Sequence, residues 1–304
     1  MNTLQQRVSA SVRGVQTPKK SRSSAHEERQ SIDLRKAINA VSDVVQNRPR
    51  PLRRFDQIYM KTGDMVVQSE TVADWADCRR LAFIGDGDAI SVCVAYLQAR
   101  GVLNFGPSHI TVFDFDERMV EAVTRFAERE HITNLTARLY NVLDPMHPGR
   151  RFDCFYTNPP WGQYNNGESV NVFAQRGMEA VGHVGEGLVV IADDDEREWP
   201  KRVLANVQKF AAQEGFYVSR MQRKLHEYHL DEPELKSCNL YLSALPGNEP
   251  RRQSIAITDP RRLKNFYGKG KDPTVHYIRS KRQVDYGFAH EDEYELETRE
   301  IRGE

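Results

Sequence analysis

Two aspartates separated by one glycine, Asp86 and Asp88 in "IGDGDAIS", are the first side chains whose spacing could do chemistry. Gly85 before them can make the tight turn after an apolar run, and a helix opening near Asp88 would aim its backbone amides at a ligand. The stretch lacks G-x-G-x-x-G, and its two carboxylates would repel a phosphate. They suit a cationic ligand, or one of them can act as a base toward an amine. The plainer alternative is that Asp88 only caps the helix. The second set lies in "FYTNPPWGQY", where Pro159 and Pro160 stiffen the chain beside Asn158. The Asn158 carbonyl oxygen, with a backbone carbonyl of the loop, can accept from an amine and leave its lone pair free to attack an alkyl donor. Trp161 and Tyr164 could stack on a flat base or cover an alkylammonium. A purely structural Asn-Pro-Pro turn is the competing explanation.

Three further polar loops follow apolar runs. Asp114, at the end of "TVFDF", can accept both hydroxyls of a ribose, whereas Asp116 can cap the next helix. Asn141 in "YNVLDPM" could read an adenine edge, although Asn after a strand is most often a turn residue. Asp193 and Asp194, with Asp195, form either a site for a polycation or a solvated acidic turn.

The elements that must position these side chains alternate. "RLAFIG", "HITVFDF", "LTARLY", "FDCFYT" and "GLVVIAD" are short apolar runs, interleaved with the helical patterns "AISVCVAYLQARG", "DERMVEAVTRFAERE" and "VNVFAQRGMEAV". Such alternation predicts a doubly wound, mostly parallel sheet, in which ligands bind beyond the carboxyl ends of the strands. After a helix at 198–213, "FYVSRMQRKL" and "SCNLYLSAL" predict a closing antiparallel hairpin. The expected class is therefore α/β, a Rossmann-like class I methyltransferase fold. Residues 1–50 read as a polar, largely disordered arm with a short helix at "IDLRKAINAVSDVVQ", where Leu34, Ile38, Val41 and Val45 share a stripe. Residues 51–245 read as the transferase domain, and 246–304 as an irregular, charged extension.

Composition excludes several classes. The 304 residues carry 43 basic and 43 acidic side chains, so no net field favours nucleic acid. The imbalance is local: residues 1–54 hold twelve Lys or Arg against four acids, and residues 291–304 hold seven acids against two bases. Cys78, Cys93, Cys154 and Cys238 lack metal-ligand spacing and a disulfide pattern. No apolar run is long enough for a bilayer and none resembles a signal peptide, so the expectation is a cytoplasmic protein with no membrane partner and no metal.

The order of "FDQIYMKTGDMVVQSETVADW", "GDGDAIS", "FDFDERM", "NVLDP" and "SCNLYL" resembles the branched-chain polyamine synthases, over roughly residues 50–245. That resemblance implies transfer of an aminopropyl group from decarboxylated S-adenosylmethionine to an amine of a polyamine such as spermidine, releasing methylthioadenosine. It implies Asp88 as the catalytic carboxylate, and the reading of the Asn-Pro-Pro loop adds Asn158 as the residue that holds the nucleophile. Gln57, Tyr59, Gly85, Asp86, Asp114 and Asn141 are then donor-binding, and Pro159, Trp161, Tyr164, Asp193 and Asp194 face the acceptor. The chain departs from the family at three places: Gly87 replaces an Asp, Asn141 stands where Asp is usual, and Asn158 stands where the family has Asp-Pro-Pro. The family's winged-helix-like N-terminal domain is not apparent in the first 50 residues.

The donor can also be argued from charge. S-adenosylmethionine carries a carboxylate that Asp86 and Asp88 would repel, whereas the decarboxylated form offers only an ammonium arm. The spelling Asn-Pro-Pro-Trp supports an alternative, an S-adenosylmethionine-dependent N-methyltransferase acting on adenine in nucleic acid or on a protein amide. A third reading is a non-catalytic sulfonium- or polyamine-binding module. Nucleic acid is a partner only under the second reading, and a homodimer is compatible with all three.

Overall fold

Seven strands form one sheet in the order β3-β2-β1-β4-β5-β7-β6. In chain order they are β1 (Arg80–Ile84), β2 (His109–Asp114), β3 (Leu135–Leu139), β4 (Cys154–Thr157), β5 (Glu186–Asp193), β6 (Phe216–His226) and β7 (Lys236–Ala244). β1 to β5 pair in parallel, and β7 runs antiparallel between β5 and β6. The mostly parallel class and its antiparallel end are as expected. The computed structural model describes residues 32–146, 152–229, 235–251, 253–281 and 294–298. The disorder expected for residues 1–31 lies outside the described residues.

The helices are α1 (Leu34–Asn47), α2 (Thr62–Trp75), α3 (Ile90–Ala99), α4 (Glu117–Arg129), α5 (Glu168–Ala180), α6 (Glu198–Gln213) and the short α7 (Pro260–Leu263). Helices cover both faces, which is why β1 and β5 are buried along nearly their whole length. Among the described residues no helix is long and apolar enough to cross a membrane.

The strand order reverses between β1 and β4, so the ends of those two strands open a crevice. The Thr157 hydroxyl at the end of β4 donates to the Ile84 carbonyl at the end of β1 (2.7 Å), and the Gly85 amide donates to Phe113 of β2 (2.8 Å). Gly85 adopts φ 71°, where a side chain would be strained. These bonds set the three strand ends, and the loops that follow them, at fixed spacing.

Two boundaries differ from the sequence expectation. α1 is not part of a loose arm: Ala37, Val41 and Val44 are buried in the same core as Met65 and Val72 of α2. Its buried stripe is also rotated. Leu34 and Ile38 stay exposed because the small Ala37 and Ala40 make the close approach that bulkier side chains would block. The C-terminal extension is not irregular throughout. β8 (Val275–Ser280) and β9 (Tyr294–Thr298) pair antiparallel. The extension is pinned to the domain at several points. Buried Arg176 of α5 donates to the carbonyls of Val142 (2.7 Å) and Ile255 (2.8 Å), Ser169 donates to that of Phe266 (2.6 Å), and the Ile278 amide donates to Phe115 (3.1 Å). Such polar anchors between segments distant in sequence leave no periodic trace.

The layer of α5 against the sheet depends on absent side chains. A Cβ at Gly177 of α5 would meet the Phe155 ring at 2.1 Å, and one at Gly187 of β5 would meet it at 2.2 Å. Phe155, fully buried, lies in a slot bounded by both glycines. Gly177→Ala is therefore expected to destabilise the domain by about 1–3 kcal/mol through overpacking, despite the better helix propensity of alanine. Urea denaturation of the variant checks this.

Candidate active site

The crevice at the strand ends is lined by the loops after β1, β2, β3 and β4, by residues 55–59, and by Trp199, Tyr228, Leu235 and Tyr267. Four aspartates line it, Asp56, Asp86, Asp88 and Asp114, and among the described lining residues there is no Lys, Arg or His.

The two glycine-loop aspartates have separate structural duties. Asp86, not Asp88, caps α3: its carboxylate accepts from the Ile90 amide (3.0 Å) and from the amide and hydroxyl of Ser91. The first two α3 amides, those of Ile90 and Ser91, are thereby committed to a protein carboxylate. The Asp88 Oδ1 accepts from the Met60 amide (2.7 Å), and its Oδ2 accepts from Asn158 Nδ2 (2.6 Å). Asp88 thus joins the glycine loop to the Asn-Pro-Pro loop across the switch point. Asp114 accepts from the amides of Asp86 and Asp116 (both 2.9 Å). Asp116 caps α4, as one reading of the sequence had it, and forms a fully buried pair with Arg118 (2.6 Å).

Burial dominates the electrostatics. It pushes the carboxyls of Asp86, Asp88 and Asp114 all upward, Asp86 well above the ordinary range and Asp114 to about 6. For Asp86 the Asp88 and Asp114 charges add to the rise. For Asp88 the rise is opposed by Arg48, the Met60 amide and Asn158. Arg48 reaches Asp88 from behind the crevice, stacked on Tyr59 at 4.0 Å and donating to the Asp88 backbone carbonyl (3.0 Å).

The bond to Asp88 fixes the Asn158 carboxamide. The opposite orientation would set an oxygen against a carboxylate, so Oδ1 is the atom left to accept from a ligand. Asn158 Nδ2 also lies 3.4 Å from the Tyr228 hydroxyl, which bonds Ser237 (3.2 Å), which in turn bonds His226 Nδ1 (3.0 Å). Burial lowers His226 to about 4, so this buried chain ends in a neutral imidazole. Trp161 meets Tyr228 edge to face at 5.0 Å and forms the wall beside Asn158, with Pro159 adjoining.

Several sequence candidates are placed otherwise than expected. Tyr164 is half exposed and outside the crevice lining. Asp193 is held by Arg223 (2.7 Å) and Asp194 by Arg197 (2.6 Å), while Asp195 pairs with Arg223 and Lys224, so the acidic run answers cations of the chain itself. Neither Asp193 nor Asp194 lines the crevice. Asn141 lines it, but its donor is bonded to the His276 carbonyl (2.6 Å) and its oxygen takes the Leu143 amide (2.9 Å), which makes it a clamp on the extension. Gln57 bridges the Leu52 amide (2.7 Å) and Asp116 (3.2 Å), and the Tyr59 hydroxyl donates to the Pro49 carbonyl (2.7 Å), so both shape the wall through bonds to the protein. Sequence reasoning missed Tyr228, Phe115, Tyr267 and Asp56. Phe115 and Tyr267 lie nearly parallel, 6.0 Å apart, with Phe55 edge-on to both. Only the fold brings these aromatics together, since they come from three segments far apart in the chain. Among the described residues no cluster of three or more His, Cys, Asp or Glu could hold a metal.

The family model described as "Branched-chain polyamine synthase A C-terminal domain" matches residues 36–297. An uncharacterized protein of Methanocaldococcus jannaschii is 25% identical over 80% of this chain and 56% of its own length. The N(4)-bis(aminopropyl)spermidine synthase of Thermococcus kodakarensis is 23% identical over 63% of this chain and 52% of its own. The chain thus spans about half the length of these curated relatives. The crystal structure of the branched-chain polyamine synthase of Thermus thermophilus, in complex with N4-aminopropylspermidine and 5'-methylthioadenosine, superposes with TM-score 0.62 at 17% identity, covering 77% of this chain and 70% of that one. A putative RNA methyltransferase of Pyrococcus horikoshii superposes with TM-score 0.50 at 14% identity, covering 69% and 99%. Both likenesses show the fold.

The raised carboxyls make a pH prediction. Asp114 titrates near 6 when folded and near 3.8 when unfolded, so its contribution to stability is present below about pH 4 and is lost as pH rises through about 6. Asp114→Asn removes that titration, whatever fixed cost its altered hydrogen bonds impose. The stability of the variant minus that of the wild type is expected to rise by on the order of 2–3 kcal/mol from pH 4 to pH 7. Urea denaturation across that range tests it; a difference independent of pH would place Asp114 at its ordinary value.

Proposed function

Because the chain belongs to the branched-chain polyamine synthase A C-terminal domain family, we propose that it transfers an aminopropyl group from decarboxylated S-adenosylmethionine to an amine of a polyamine. The observation that carries this reading is the charge of the crevice. Four aspartates and no described cation line it, a lining that attracts ammonium groups and repels the carboxylate of S-adenosylmethionine and the phosphates of nucleic acid.

In this reading Asp114, held by two backbone amides, takes the ribose hydroxyls of the donor, and the aromatic walls flank its base. Asn158 Oδ1 accepts from the N–H of the acceptor amine and keeps its lone pair on the side of the donor. The nitrogen attacks the carbon beside sulfur; the N–C bond forms as the C–S bond breaks, and the bonding pair goes to sulfur, leaving neutral methylthioadenosine. The new ammonium yields its proton to Asp88, whose carboxyl is moved toward neutrality by burial. Asp88 and Asn158 share a hydrogen bond, so base and nucleophile holder are registered to one another.

The spelling Asn-Pro-Pro-Trp favours a second reading, N-methyl transfer from S-adenosylmethionine to an adenine or amide nitrogen. Purified protein incubated with spermidine and the decarboxylated donor, and separately with nucleic acid and S-adenosylmethionine, separates the two by mass spectrometry. Methylthioadenosine with an aminopropylated amine is expected; adenosylhomocysteine with a methylated base would replace the first reading by the second. Asp88→Asn is expected to lower kcat by about a hundredfold or more while donor affinity changes little. An Asp88→Asn enzyme of full activity would remove this residue from the chemistry.

A further inference from the structure

Asp86, Asp88 and Asp114 each accept at least two hydrogen bonds from the protein. Asp56, the fourth carboxylate of the crevice, accepts none, and forms no ion pair among the described residues. Its surroundings make that unusual. It is half-buried beside Phe55, and the nearby cations do not close on it: Lys271 donates to the Arg53 carbonyl (3.3 Å) and Arg53 donates to that of His229 (2.7 Å). Burial raises its carboxyl to about 6, against the pull of Lys271 and Arg53. Its backbone is left-handed, φ 58° and ψ 25°, a conformation that costs a non-glycine residue free energy and occurs disproportionately at ligand sites. The neighbours in the same stretch, Gln57 and Tyr59, have their polar atoms engaged by the protein. A half-buried carboxylate with no partner among the described residues, in a crevice whose wall includes the Phe55–Phe115–Tyr267 cluster, is a group that an alkylammonium completes through an ion pair.

We infer that Asp56 is a further substrate-binding residue, which holds a primary ammonium group of a ligand seated in the crevice while Asp88 and Asn158 act on the reacting amine. The inference rests on the reading of the crevice given above. Two ligands of that reaction carry such a group, the polyamine and the aminopropyl arm of the donor, and the test separates them.

Asp56→Asn is the appropriate variant, since Asn tolerates the left-handed backbone and keeps the size while removing the charge. Calorimetric titration of the full chain uses three probes: spermidine, decarboxylated S-adenosylmethionine, and methylthioadenosine, which lacks the ammonium. The expected result is a Kd raised about tenfold or more for spermidine or for the donor, whichever Asp56 holds, with methylthioadenosine binding unchanged. Unchanged affinity for both cationic ligands overturns the role of Asp56 and leaves the proposed function standing. Equal weakening of all three probes also overturns it, because the loss would then be one of structure. A wild-type protein that binds neither cationic ligand removes the proposed function, and this site with it.

Discussion

Four carboxylates in one crevice with no described cation of the protein among them constitute the constraint on which the rest of the structure turns. Desolvating like charges is unfavourable, and the groups that touch the carboxylates are amides, a hydroxyl and a carboxamide, while Arg48 acts on Asp88 from behind. Asp86 is stabilised by the start of α3, Asp114 by two loop amides, Asp88 by the Met60 amide and the Asn158 carboxamide. Dipoles solvate a carboxylate without cancelling its charge. The crevice therefore keeps carboxyls with no counter-cation among its described lining, raised by burial and ready to ionise against a cationic ligand, whereas a lining arginine would neutralise them and occupy its space.

The cations that the chain does possess near these loops are turned away from the crevice. Arg48 stands behind Asp88, Arg118 is consumed by Asp116, and Arg176 anchors the extension. The acidic run after β5 is neutralised by Arg223, Lys224 and Arg197. Two acidic stretches that look alike in the sequence thus differ in kind. One is paired with cations, and the other is held by hydrogen bonds with no cation of the described residues in its crevice. The Asp88–Asn158 bond adds a geometric requirement: with Asn at 158 the two loops meet through an amide donor and a carboxylate, an arrangement that needs no shared proton.

The sheet was largely legible in the sequence, because burial on both faces leaves continuous apolar runs such as "RLAFI" and "GLVVIAD", and helices between them leave a 3.6-residue period. α1 was legible as a helix and misjudged in its face, since periodicity marks bulky residues whereas close packing selected Ala37 and Ala40. The extension was not legible. Its polar anchors are single hydrogen bonds that join residues far apart in the chain, such as Asn141 to the His276 carbonyl, and its buried apolar anchors, Ile257, Phe266 and Ile278, follow no period. Asp88, Asn158, Asp114 and Trp161 line the crevice as the sequence suggested, because each lies at or soon after the end of a strand, and strand ends in such a sheet converge. Tyr228, Tyr267 and Asp56 come from the connection of a hairpin, the extension and the segment between α1 and α2, where no rule of that kind applies.

By itself the sequence determined which chemical groups stand at the strand ends: carboxylates after β1 and β2 and a rigid amide after β4. That follows from local pattern, since a strand and its following loop are adjacent in the chain. Only the tertiary structure decided which carboxylates remain open to a ligand. Whether Asp193 finds an arginine or Asp56 finds no partner among the described residues depends on distant segments. Hydrogen bonds and ion pairs act over a few ångströms of space, and sequence separation does not report that distance.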